Sequence, residues 1–171
     1  MTEYYNKQMF LDAVKQRKKV LMFFYAIVVV YLIACITMLI WYTTLPFGDE
    51  NLSKVKLIMH AITIVTVAFC GIYLGIPYKR VNRFYKLTAK MYSGIKETYT
   101  GSFLEYDESL ANKDGVDVKS LVFVEWNKYK KDFFERKVYV FNELPFPQLE
   151  PNRNYKYVTQ GNVLISYEIL S

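Results

Sequence analysis

The chain has 171 residues, of which 53% are hydrophobic, 18% aromatic and 22% charged, with a formal net charge of +6. These averages are close to those of an ordinary globular domain, and the mean hydropathy is only +0.05. The distribution is far from even: residues 20–48 and 57–78 contain no Asp, Glu, Lys or Arg, and each run exceeds the roughly 20 residues a helix needs to cross about 30 Å of hydrocarbon. A soluble single domain, intrinsic disorder, a disulfide scaffold and a long multidomain enzyme are thereby excluded.

Residues 1–19 carry five Lys/Arg and two acids and read as a basic N-terminal amphipathic segment, with Tyr5, Met9, Phe10 and Val14 at helical spacing. Residues 20–43 read as transmembrane helix 1, 44–56 as an external loop, and 57–78 as transmembrane helix 2. Arg17, Lys18 and Lys19 precede the first span, and Lys79, Arg80 and Arg83 follow the second; the loop between holds only Lys54 and Lys56 as basic residues. Flanking Lys and Arg stay on the cytoplasmic side. The expectation is a two-pass inner-membrane protein with both termini cytoplasmic and those six basic residues at the anionic membrane surface. A signal peptide would have a shorter apolar core, and Trp41-Tyr42 suits an interfacial belt. Asn51-Leu52-Ser53 matches a glycosylation acceptor, a pattern short enough to arise by chance.

Lipid gives helices no hydrophobic reason to associate, so close contacts favour small residues. Ala61, Ala68, Gly71 and Gly75 form one stripe on the second helix, and Ala26 and Ala34 lie on a comparable face of the first. The expectation is an antiparallel hairpin packed on these stripes; the Gly71/Gly75 stripe could alternatively meet another subunit. The single histidine, His60, is expected near the outer interface. Cys35 and Cys70 fall at different depths and act as small apolar residues.

Residues 79–97 continue as a basic helical extension to about Ser93-Gly94. Beyond, residues 98–171 switch to a period of two. Strands are expected near Tyr99–Tyr106, Val116–Trp126, Glu135–Asn142, Tyr155–Thr159 and Val163–Ile169, the last two joined by a tight turn at Gln160-Gly161-Asn162. The fold class is therefore α+β: a two-helix transmembrane hairpin followed by a small cytoplasmic β-barrel-like domain, OB-like or SH3-like. In plan this is similar to membrane proteins of the NfeD type, a likeness of architecture that no motif carries.

No phosphate loop, dinucleotide fingerprint, paired Cys-x-x-Cys or His-Glu-x-x-His is present. The acidic residues Asp107, Glu108, Asp114 and Asp117 lack calcium-loop spacing, and two Cys with one His do not make a zinc site. No catalytic residue, cofactor or metal is expected, and the chain reads as non-catalytic. One basic-aromatic patch, Trp126, Lys128, Lys130, Lys131, Phe133 and Phe134, with Tyr129, Arg136 and Lys137 beside it, is a possible partner surface. Its plainer reading is a charged hairpin tip with its aromatics packed inward. The leading expectation is a membrane protein whose cytosolic β module docks a protein partner or a second copy. The alternatives are an accessory subunit of a transporter or channel and a membrane-tethered oligonucleotide- or ligand-binding barrel. Nucleic acid is disfavoured because the basic excess lies at the membrane flanks, while residues 98–171 hold nine basic and eleven acidic residues. The Lys-to-Arg ratio of 17 to 5 hints at an AT-rich bacterial source.

Overall fold

The computed structural model describes residues 1–127 and 129–170, so Lys128 of the expected patch and Ser171 lie outside the described residues. Two long apolar helices precede a closed five-stranded β-barrel. In chain order the elements are β1 (Thr2–Glu3), α1 (Lys7–Thr44), α2 (Asn51–Tyr73), a π-turn (Leu74–Tyr78), α3 (Lys79–Ser93), β2 (Glu97–Lys113), β3 (Val116–Asn127), β4 (Asp132–Phe141), β5 (Asn154–Gln160) and β6 (Val163–Ile169). The π-turn contains Pro77, which lacks an N–H and clashes with the carbonyl four residues back, so the helical ladder widens locally. The connection between α1 and α2 spans only residues 45–50, because α2 begins at Asn51 rather than after residue 56. The chain forms two compact units, residues 15–81 and residues 1–14 with 82–171.

In the first unit, both helices are long and apolar enough to cross a membrane. They run antiparallel: Tyr73 Oη donates to Val20 O at 3.1 Å, Tyr31 Oη and Thr63 Oγ1 share a hydrogen bond of 3.1 Å, and Lys56 Nζ lies 5.6 Å from the Tyr42 ring centre. Phe24, Phe69 and Tyr73 stack at the seam. The hairpin is therefore not packed on the expected small-residue stripe. Ala61, Ala68, Gly71 and Gly75 are exposed, and a Cβ on either glycine would meet nothing. On α1, Ala34 is half-buried while Ala26 is exposed. The reason is polar: two tyrosine hydroxyls in apolar surroundings must find acceptors, and the partner of Tyr31 is Thr63, about 200° around α2 from Ala61 at 100° per residue. Cys35 and Cys70 are free thiols.

In the second unit, β2 pairs β3 and β5, β3 pairs β4, β5 pairs β6, and β6 closes on β4 in parallel; β1 adds to β6. The interior holds Phe103, Leu121, Phe123, Val138, Val140, Tyr155, Tyr157 and Leu164. Burying such side chains contributes roughly 1.5–3 kcal/mol each before entropy is counted. Gly101 lets β2 leave β3 for β5: a Cβ there would come 2.9 Å from Val124 O, so only glycine fits this barrel corner. Helix covers part of the outer face of the barrel wall, opposite the interior. Leu87 and Met91 of α3 and Tyr5 of the N-terminal segment bury against Val118, Phe141, Val163 and Ile165. Phe10 stacks on Tyr92 at 5.0 Å. The apolar face of the N-terminal segment, expected to seek the membrane surface, is thus covered by protein. A Pro-rich loop covers another part of the core, where the Tyr106 hydroxyl lies 2.9 Å from the carbonyls of Pro147 and Leu149 and accepts the Leu149 N–H.

Gly101→Ala should destabilise the folded chain by about 1–3 kcal/mol through overpacking against backbone, read as a lower midpoint in chemical unfolding followed by near-ultraviolet circular dichroism.

Candidate interaction site on the β3–β4 arm

The barrel closes on β4 at one residue pair, Tyr139 with Val163, where Tyr139 N–H donates to Asn162 O at 2.7 Å. Because β6 runs parallel to β4 and begins just after the Gly161-Asn162 turn, among the described residues no strand pairs with β4 before this residue pair on that side; the nearest feature is the turn itself, where Arg136 Nη1 lies 3.4 Å from Asn162 Oδ1. On the other side β3 and β4 pair without a register shift from Val118–Phe141 to Asn127–Asp132. Pairing of β3 with β2 ends at Val124–Ser102. The last residues of β3 and the first half of β4 are therefore a two-stranded arm projecting past the barrel.

Asn127 shapes the tip. Its side-chain oxygen accepts the N–H groups of Tyr129 and Lys130, and its carbonyl accepts that of Lys131 at 2.9 Å. Four aromatic rings crowd the arm, with Trp126 51%, Tyr129 99%, Phe133 65% and Phe134 37% exposed. Trp126 and Phe133 are cross-strand partners whose rings meet edge to face at 4.8 Å. This corrects the plainer reading in which the aromatics pack inward. Inward packing needs a covering layer, and the barrel ends before it reaches them. Lys130 and Lys131 are exposed, and among the described residues neither has an ion-pair partner.

The root of the arm is polar and buried. Arg136 Nε lies 2.9 Å from Glu125 Oε1, with side-chain exposures of 21% and 8%. Tyr157 Oη donates to the same carboxylate oxygen in a short hydrogen bond. The guanidinium carbon sits 3.9 Å from the Tyr99 ring centre, a stacked cation–π geometry. Burial, reinforced by the Glu125 hydrogen bond, pushes the Tyr157 hydroxyl far up. For Arg136 burial is the largest single influence and lowers it, but the Glu125 hydrogen bond together with the charge of Glu125 and the phenols of Tyr99 and Tyr157 outweighs it, and the net direction is upward. Sequence reasoning missed this cluster because its members come from four strands. The usable signal is parity: Glu125 and Arg136 fall in step with the inward residues Phe123 and Val138, where a charge needs a partner. On the outer face, Lys137 and then Ser109 hold the Asp107 carboxyl down at about 2.

Other candidates do not gather. Asp114 pairs with Lys90, Asp107 with Lys137, and no set of three His, Cys, Asp or Glu among the described residues could hold a metal. His60 Nδ1 contacts Lys56 O within α2, and the concavity beside it is lined by α2 residues alone. Lys18, Lys19, Lys79 and Arg80 are exposed, Arg17 is half-buried, and the Arg83 side chain packs over Gly115.

Arg136→Ala should cost at least about 2 kcal/mol, because it strands the buried Glu125 carboxylate. Trp126→Ala and Phe133→Ala should each change stability by less than about 1 kcal/mol, being largely exposed; equal losses at all three positions would make the arm part of the core. Burial raises the hydroxyls of Tyr4 and Tyr5 to about 12 from 10. Stability from their neutral forms is complete below pH 10 and is lost as pH rises through 12. Absorbance at alkaline pH should show these phenols titrating late and together with unfolding. Comparison with protein-family models, curated proteins and solved structures finds no match for this chain, so its own residues carry the functional reading.

Proposed function

We propose that this chain is a non-catalytic integral membrane protein with both termini cytoplasmic, whose β module docks a protein through the β3–β4 arm. The observation that carries this reading is the exposure of Trp126, Tyr129 and Phe133 on a projecting arm, while the apolar outer face formed by Val118, Phe141, Val163 and Ile165 is already covered by the chain's own α3 and N-terminal segment. Exposed aromatics rimmed by unpaired lysines are the composition of interaction hot spots. The basic flanks of the two apolar helices support the orientation.

The barrel is OB-like rather than SH3-like in this reading. Numbering its five strands alone, the ring order is one-two-three-five-four, and strands three and five meet in parallel while the other neighbours are antiparallel. OB modules bind oligonucleotides with the face of their second and third strands and the adjoining first and fourth turns. Here those turns are Asp114-Gly115 and Gly161-Asn162. Arg83 and Lys90 of α3 lie on the first, and Gly94 packs on Gln160 beside the second. A nucleic-acid role is disfavoured accordingly. A second reading, an accessory subunit of a transporter or channel, is favoured by the small-residue stripe Ala61, Ala68, Gly71 and Gly75 left open on α2.

Purification in mild detergent followed by native mass spectrometry tests the proposal. The wild-type chain should carry a bound protein, its own copy or another, and Trp126→Ala with Phe133→Ala should release it. A strict monomer without partners would contradict it.

A further inference from the structure

We infer that the free edge of β4 is a strand-addition site whose occupant is the β4 edge of a second copy of this chain, paired antiparallel about a two-fold axis. This rests on the docking reading above and names the partner. Backbone direction alternates along a strand. Tyr139 N–H points at β6, and the β3–β4 register has no bulge. The N–H and C=O groups of Glu135 and Lys137 therefore point to the same side, where no strand lies among the described residues. Phe133 N–H also points there and is taken by Asp132 Oδ1 at 2.7 Å. Glu135 and Lys137 thus present a short row of free donors and acceptors, whose complement is another extended backbone.

Charge selects the occupant and the register. With Arg136 opposite Arg136 of the second copy, Glu135 faces Lys137 of the second copy and Lys137 faces its Glu135. Two opposite-charge pairs and four backbone hydrogen bonds form together. Both side chains are exposed on the outer face, Lys137 remaining 57% exposed despite its contact with Asp107. The two central Arg136 side chains do not oppose one another freely, because each is held on its own Glu125 and Tyr99. A two-fold axis is also the commonest closed symmetry, and the exposed Trp126–Phe133 pair lies on the same arm, ready to add apolar contact.

The test uses the full chain in detergent, with mass measured by light scattering and sedimentation across a concentration series. The wild type should form a concentration-dependent dimer. Glu135→Pro removes one outward N–H per copy without touching the β3 ladder, and should raise the dissociation constant about tenfold or more; Glu135→Thr, which keeps the N–H but loses the charge, should weaken it less. Glu135→Lys and Lys137→Glu should each weaken the dimer, and the double variant should recover it, which keeps the inference testable if the proline variant folds poorly. A chain that is monomeric throughout, a dimer indifferent to all these changes, or a different protein seated on the edge would overturn it. Association lost with Trp126→Ala and Phe133→Ala but unaffected by Glu135→Pro and by charge reversal would overturn the edge pairing while leaving the docking arm standing. A strict monomer without partners would overturn both.

Discussion

The point at which β6 stops accompanying β4 governs the rest of the β module. The tight Gly161-Asn162 turn brings the chain out of β5 and starts β6 only at Val163, beside Tyr139, so the parallel contact with β4 is limited to that pair. Asn162 sits at a positive φ of 65° and Gly161 at 55°, a backbone shape that Gly and Asn adopt at low cost. Closure of the barrel is thereby secured at one end of β4, and the other end is released. The buried Glu125–Arg136–Tyr157 cluster then has a structural task. It fills the mouth of the barrel at the root of the arm, where an apolar layer would have no cover. Burying an ion pair is rarely a net gain in stability, but here it ties β3, β4 and β5 together at the place where the sheet would otherwise splay.

The division between covered and uncovered surface follows from this. On the outer face, Leu87, Met91 and Tyr5 fill the space against Val163 and Ile165, and Tyr5 Oη donates to Thr88 O at 2.9 Å. The Pro145–Pro151 loop is tied down by Tyr106 and by Tyr155, whose hydroxyl accepts Glu150 N–H at 2.8 Å. Neither device reaches the arm. An aromatic pair that is left open, next to a strand edge that is left unpaired, is a liability in a protein that meets nothing. The two features are accounted for together if the arm is an interface.

Much of the architecture was legible in the residues. The two uncharged runs became α1 and α2, and the alternation of Val163, Ile165, Tyr167 and Ile169 became β6 beside its Gly-Asn turn. Other parts were hidden for physical reasons. β1 is two residues long and has no periodicity to detect. Small residues mark where helices could approach closely, but the seam of α1 with α2 was decided by the hydrogen bond between Tyr31 and Thr63, a pairing 32 residues apart. The spacing of Tyr5, Met9 and Phe10 announced an amphipathic helix without saying whether lipid or protein would cover it. The residues of the arm were recognised as a patch. Their exposure was not, because it depends on where β2 and β6 cease to pair, and no local pattern records that.

Trp126 is open in the single chain and should be covered on association. Its fluorescence can be isolated by Trp41→Phe, since these are the two tryptophans. Iodide quenching should be efficient at concentrations where the chain is a monomer and should fall as the dimer forms, with emission moving to shorter wavelength. Trp126 that is shielded in the monomer, or that stays equally accessible while the mass doubles, would contradict it.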